Sequence, residues 1–507
     1  MKKNRYHQLF ALSKKSALLH SIQNLLDWDS ETYLPKKAIH IRSEQLELLA
    51  SLIHKEQTSS KYKKALQSLI DIETGHIQDP SLSKAEQAAL REWRRDYLKT
   101  VKLPISFVKQ FTNLTSQSIL SWTEAKKNND FKAFAPYLKK IVALLRKKCD
   151  YLGYQEHPYD ALLDIYEPGM TTTFLISLFG RLKNQLSELI KSIAILPAPR
   201  EDFLYGSFAK DKQIAFAHDL LEAMGFHKKE ARLDLSNHPF CIGLHPFDTR
   251  MTTHIHPDYL LSNLFAVIHE GGHGLYNKGR PAEFFGSPLC ESLSLGIEES
   301  QSRFWETIIG HSHPFWYHFY PKLQTIFPEK LGDISLNEFY LAINHVKPSF
   351  IRIEADEVTY SMHIILRFEL EKALIEGSLK VEEIPEAWNE KMRDYLGISP
   401  QDNTLGCLQD IHWAMGGIGY FPTYTLGNLY AAQIFHTFEK EFPDWQTKVK
   451  EGSLSFIQIW LHHHIHQHGR HYTPQELIMR ITGSELNEKH FLHYLENKYK
   501  NIYHINH

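Results

Sequence analysis

Apolar residues recur at helical spacing along nearly the whole of this 507-residue chain, and no low-complexity linker interrupts them, which confines the fold to a mostly α architecture. Leu46, Leu49, Ala50 and Ile53 fall on one helix face, and Phe107, Phe111, Leu114 and Trp122 on another. The first half reads as stacked helical hairpins, broken where Pro and Gly cluster, at Pro104, at Pro168-Gly169 and at Pro197 and Pro199. One stretch differs. In HPFCIGLHPFDTRMTTH (238–254) alternation replaces the 3.6 period, so Asp248, Arg250 and Thr252 are expected to share one strand face of a short sheet. If that strand lies at an edge, an extended peptide backbone can add to it.

The next segment, YLLSNLFAVIHEGGHGLY (259–276), returns to helical spacing, with Leu261, Leu264, Phe265 and Ile268 as its apolar stripe. It contains HEGGH. Residues four apart are neighbours on a helix, so His269 and His273 can present two imidazole nitrogens to one metal ion at about 2.0–2.1 Å, with Glu270 beside it. With 31 histidines in the chain, about two His-x3-His pairs arise by chance, but about 0.2 carry an acid after the first His, so the pattern favours a metal site. The two glycines each cost a helix about 1 kcal/mol relative to Ala, so something other than helix stability requires them.

A hydrolytic metal site needs a third protein ligand and a position left for water. The helical run ESLSLGIEESQSRFWETII (291–309) offers Glu291, Glu298, Glu299 and Glu306. Glu299 lies 26 residues after His273. Spacing alone does not separate it from Glu298, which points about 100° away around the helix.

Charge and cysteine usage narrow the classes. Lys and Arg total 57 against 59 Asp and Glu, a formal charge of −2, so no field of one sign invites nucleic acid. Cys149, Cys241, Cys290 and Cys407 form no CxxC pair, which argues against a disulfide framework and a thiolate zinc site and for a reducing compartment. Gln8, Ser13, Lys14 and Lys15 interrupt any apolar signal region, and no membrane span is expected, so the location expected is cytoplasmic. No clean boundary divides the chain: residues 1–507 are expected to form one domain, with a helical flank over roughly 1–200 and a catalytic part over roughly 201–507.

Several motifs in order resemble the Taq-type thermostable carboxypeptidases, the HExxH metallopeptidases of family M32. LLDWDSETYLP (25–35), the HPF at His238, DTRMT (248–252) as DxRxT, HEGGH, Glu299-Ser300-Gln301, Ile351-Arg352 with Ala355-Asp356 as IRxxAD, and GCLQDIHW (406–413) running into GYFPTYTLG (419–427) carry the likeness across nearly the whole chain. The resemblance selects Glu299 as the third ligand. It implies a saddle-like helical body with a deep groove and a small antiparallel sheet beside the HExxH helix, of the zincin (neurolysin-like) kind. It also implies a homodimer, peptide substrates trimmed from the C-terminus with broad specificity but not next to proline, and Zn2+ as cofactor. Co2+ or another divalent cation also suits two imidazoles and a carboxylate. One position departs from the family pattern, which has His where this chain has Glu298.

Within that reading Glu270 accepts the proton of the attacking water and passes it to the leaving amine. Tyr420 and Tyr424, with His412 behind them, are the candidate donors to the developing oxyanion. A planar guanidinium suits a substrate's C-terminal carboxylate, so Arg352 is the first candidate for that contact, although Asp356 stands at i+4 to pair with it. Arg250 is the second, with Asp248 as its structural partner, and resemblance places His238 on the substrate. The histidine-rich LHHHIHQHGRHYTP (461–474) reads as a helix end packed near the groove rather than a second metal site.

Overall fold

Two helices, Lys2–Thr32 and Ile39–Gln57, fold back on one another at the start of the computed structural model, which describes residues 2–505. Met1, Asn506 and His507, the ends of the span expected to form one domain, lie outside the described residues. The sequence periodicity fixes the second helix but only a shallow face of it: Ile53 is buried, Leu46 and Leu49 half-buried, and Ala50 exposed. A second hairpin joins Ile105–Asn128 to Phe131–Leu152. Asn129 reverses the chain in the left-handed region (φ 52), and the Asp130 side chain accepts from the Ala133 N–H to start the next helix. Among the described residues no helix is long and apolar enough to cross a membrane.

Most buried apolar side chains, from Ala125 to Ile502, form one continuous core; a smaller cluster around Tyr6, Leu66, Trp93 and Leu289 holds the amino-terminal helices. The fold is mostly α with one small sheet, β1 (Ala231–Leu235), β2 (Cys241–His245) and β3 (Asp248–Thr253), in the order β1-β3-β2. Two expectations are corrected here. The sheet is mixed rather than antiparallel: β2 and β3 form a hairpin, whereas β1 runs parallel to β3 because residues 236–240 carry the chain around the end of the sheet to its far side. β3 is therefore the central strand, hydrogen-bonded on both sides, and cannot accept an added peptide; the free edges belong to β1 and β2. Thr252 pins the crossover, its hydroxyl accepting from the Phe240 N–H at 3.0 Å and from the Ser236 hydroxyl at 2.7 Å.

β2 and β3 pack on the helix Leu261–Gly279, which carries HEGGH and is buried on nearly every face. Its glycines have a packing cause. A Cβ on Gly271 would lie 2.6 Å from Met224 Cε, and one on Gly272 2.6 Å from the Gln301 carbonyl oxygen and Ser302 Cα. The second is decisive, because backbone cannot swing aside as a methionine can: Gly272 lets the helix Leu295–Arg303 come within touching distance of the imidazoles. That helix is gripped from behind by Pro422–Glu441, where a side chain on Gly427 would collide with Glu299 itself.

Gly272→Ala is accordingly expected to force the two helices apart and cost about 1–3 kcal/mol, read as a lower midpoint of thermal unfolding. Gly180 sits mid-helix with open space around its Cα, so Gly180→Ala should hold or raise the midpoint. Equal midpoints for wild type and Gly272→Ala would refute the packing account.

Candidate metal centre

Successive helices bring three ligand atoms together. Glu299 Oε2 lies 3.7 Å from His269 Nε2 and 3.4 Å from His273 Nε2, and the ligand atoms all fall within 4.8 Å of one another. Among the described residues no other group of three His, Cys, Asp or Glu side chains converges this way. The adjacent glutamates are placed differently: Glu299 is buried and turned to both imidazoles, while Glu298 lies to one side, its Oε1 3.9 Å from His273 Nδ1. Two imidazole nitrogens and one carboxylate oxygen form a donor set that suits zinc and other divalent transition ions, so these residues fit a metal.

The glutamate expected only as a candidate ligand, Glu306, does something else. After Arg303 the helix widens into a π-helical turn, Phe304–Gly310, a geometry frequent at functional sites. Glu306, within that turn, accepts from His269 Nδ1 at 2.7 Å, the kind of outer contact that sets the orientation of a ligand imidazole. Arg303 binds both acids: its Nε donates to Glu299 Oε1 at 2.9 Å and its Nη1 to Glu306 Oε2 at 3.2 Å. Sequence reasoning passed over Arg303, although its spacing, four after Glu299 and three before Glu306, marks it as a bridge.

Burial and neighbouring charge set the protonation of the group. Burial works against a charged Glu299, but Arg303 and the two imidazoles outweigh it and hold the carboxyl far below the usual range. The same balance, led after burial by Arg303, takes Glu306 down to about 2. Burial would lower His273, yet its hydrogen bond to Glu299 and the charges of Glu270, Glu299 and Glu298 push it up to about 9. Glu270 rises, burial prevailing over the two histidines. Its charge, with that of Glu298, also reaches the Cys241 thiol of edge strand β2, which burial above all lifts well above its ordinary value.

Beyond Glu299 lies an aromatic and cationic wall. Arg303 stacks over Tyr360 at 4.5 Å, and Arg352 over Tyr424 at 4.8 Å. Arg352 does not pair with Asp356, because residues 352–354 form a 3-10 turn in which the α-helical i+4 relation does not hold. Its Nε and Nη2 instead donate to Asp410, at 3.2 and 2.8 Å, and its Nη1 to the Tyr360 hydroxyl, while Asp356 caps Thr359. Arg367 shares Asp410 from the other side. His412 Nε2 lies 3.0 Å from the Tyr424 hydroxyl, and the Tyr420 and Tyr424 rings are 5.4 Å apart. Burial, with Arg352 and Arg367, lowers His412 to about 3, so its ring is neutral. Burial, with Glu299 and Glu298, lifts Tyr420 to about 12, and burial raises Tyr424, so both keep their O–H at neutral pH.

Arg250 and Asp248 stand apart: they form a bidentate pair at 3.0 and 3.1 Å, with Arg250 stacked on Trp28 of the LLDWDSETYLP segment. His238 is exposed on the crossover between β1 and β2. Three remote groups brace the centre. Glu371 accepts from Tyr159, Trp413 and the Gly419 N–H, fixing the loop before Tyr420. Glu167 accepts from the Gly296 N–H and Tyr430 at the start of the ligand helix. His466, from the histidine-rich stretch, is buried with its Nε2 3.0 Å from Gln301 Oε1.

An HExxH helix, a carboxylate from the following helix and a small sheet alongside define a metallopeptidase. The family model described as carboxypeptidase Taq (M32) metallopeptidase matches residues 8–499, and the chain belongs to that family. It is a metallocarboxypeptidase. It is 40% identical to thermostable carboxypeptidase 1 of Thermus thermophilus, over 98% of this chain and 99% of that protein. It is 39% identical to carboxypeptidase 1 of Bacillus subtilis, over 98% of each. The crystal structure of the M32 carboxypeptidase from Deinococcus radiodurans superposes with a TM-score of 0.95 at 35% identity, covering 99% of this chain and 100% of that one. The family implies a divalent metal, and His269, His273 and Glu299 are the residues that fit it.

Because His273 holds its proton up to about pH 9 in the metal-free protein, a cation must displace that proton at any lower pH. Apparent affinity is therefore expected to rise with pH, by up to about tenfold per unit below the His273 value, with proton release visible when binding enthalpies are compared in buffers of different ionisation enthalpy. Affinity that stays flat between about pH 6 and pH 8 would contradict this electrostatic account.

Proposed function

We propose that the chain is a zinc-dependent carboxypeptidase that removes C-terminal residues one at a time from peptides of broad sequence, sparing bonds next to proline, with His269, His273 and Glu299 as metal ligands and Glu270 as general base. One observation carries the reading: Nε2 of both imidazoles and Oε2 of Glu299 converge on one point, and Glu270 occupies the same helical turn. A divalent cation held by His269, His273 and Glu299 would supply Lewis acidity to the scissile carbonyl and to water in the site.

Glu270 takes the proton of the attacking water and delivers it to the leaving nitrogen; burial makes its carboxylate more basic than an exposed one, which suits that exchange. Glu306 keeps the His269 ring turned with its Nε2 towards Glu299, and Arg303 locks both acids in place. Tyr420 and Tyr424 hold their hydroxyl protons and donate to the oxygen on which negative charge develops, with neutral His412 orienting Tyr424. Arg352 remains the group chosen for the substrate's carboxylate. Arg352 and Arg367 share the single carboxylate of Asp410, which leaves one positive charge uncompensated beside Tyr424. Arg250 has its guanidinium on Asp248 alone, one cation matched by one carboxylate, so that pair is assigned to shaping the groove wall and His238 to a contact at its rim. The near-neutral charge of −2 favours peptides over nucleic acid as substrates and the free cysteines a reducing, cytoplasmic setting, while the homodimer is what the family resemblance implies.

Glu270→Gln, which keeps shape and removes basicity, should lower peptide hydrolysis about a hundredfold or more with metal content unchanged. Mass spectrometry of a peptide digest should show a ladder of single-residue losses from the C-terminus in wild type. Internal cuts without trimming, or equal rates for the two proteins, would end the carboxypeptidase reading.

A further inference from the structure

The two ligand imidazoles are held unequally. His269 turns its outer nitrogen, Nδ1, to Glu306 at 2.7 Å, whereas Nδ1 of His273 is buried with no hydrogen-bond partner. An imidazole that coordinates through Nε2 carries its proton on Nδ1, so when His273 serves as a ligand this atom becomes a buried donor in need of an acceptor. Glu298 is the nearest carboxylate, its Oε1 3.9 Å away. That is about 1 Å too long for a hydrogen bond and within the reach of a small side-chain rotation.

We propose that Glu298 is the positioning carboxylate of His273: it accepts the Nδ1–H, fixes the ring's tautomer and direction, and strengthens the imidazole as a ligand. The inference rests on the reading that His269, His273 and Glu299 hold a divalent cation. Three observations support it. Among the described residues His273 is the only basic group within ion-pair distance of Glu298. The charge of Glu298 is otherwise spent against like-charged or neutral surroundings, bearing on Cys241 beside Glu270 and on Tyr420 beside Glu299. And the half-buried carboxylate follows directly after Gly296 and Ile297, whose backbone N–H groups are held by the Ser294 hydroxyl and Glu167, so the helix turn that carries it is fixed beside the HEGGH helix. This chain has a carboxylate where the family pattern has an imidazole, so the site acquires a second carboxylate–histidine pair that matches Glu306 with His269.

The test is metal affinity of the full-length protein, with zinc and cobalt(II) as probes in competition with a chromogenic chelator. Glu298→Gln is expected to weaken Kd about tenfold or more and to speed metal loss to the chelator, with the melting temperature of the metal-free protein unchanged. A merely structural glutamate would shift that melting temperature and leave Kd alone. Glu299→Gln serves as the reference. If it fails to weaken binding, the metal-ligand reading itself is wrong. If it weakens binding while Glu298→Gln stays within about twofold of wild type, the role given to Glu298 alone is overturned. Should the Gln variant not fold, Glu298→Asp, one methylene short of the imidazole, is measured instead, and wild-type affinity there overturns the proposal equally.

Discussion

At Gly272 the HEGGH helix and the helix after it meet backbone to backbone, and the rest of the centre depends on that approach. A side chain of any size between them would move the Glu299 carboxylate away from the imidazoles, since the obstacle is the Gln301 carbonyl and Ser302 Cα and not a movable side chain. The helix Pro422–Glu441 repeats the device at Gly427, pressing Glu299 from the other side. Two absent side chains, set in helices that each would stabilise with alanine, thus fix where one carboxylate stands.

Close approach of these helices also concentrates charge. Glu299 and Glu306 share a single guanidinium, Arg303, while Glu270 and Glu298 lie close enough to His273 to add negative charge on its other sides, so acids outnumber the one fixed cation. In the metal-free protein part of that deficit is met by the proton His273 retains. A divalent cation held by His269, His273 and Glu299 would meet it with two charges in place of that proton.

Around the centre, segments distant in the chain are tied in by buried acids and amides. Glu371 fixes the loop that carries Tyr420, Glu167 fixes the first turn of the ligand helix, and both carboxyls are pushed by burial to about 7 and held by donors that partly offset it. Thr252 holds the crossover bearing His238, which gives the HPF and DxRxT motifs a shared structural reason: each braces the other at the end of the sheet. The histidine-rich stretch contributes His466 as a prop for Gln301.

Local chemistry was legible in the residues themselves. Helical period, the i, i+4 histidines, the acid between them and the unexplained glycines all follow from short-range spacing, which the α-helix converts directly into geometry. The order of strands was not, because a hairpin and a crossover share the same alternating pattern, and only the path of residues 236–240 around the sheet makes β3 central and one pair parallel. Nor could spacing tell Glu299 from Glu298, or reveal that Arg352 turns to Asp410, 58 residues away, instead of the nearby Asp356. Sequence alone determined which side chains could bind a metal and that a helix would display two of them together. Tertiary packing decided which carboxylate faces both imidazoles, which lies against the outer nitrogen of His269 and which arginine binds both acids, since those choices depend on how closely two helices approach, and that distance is set by contacts no local pattern encodes.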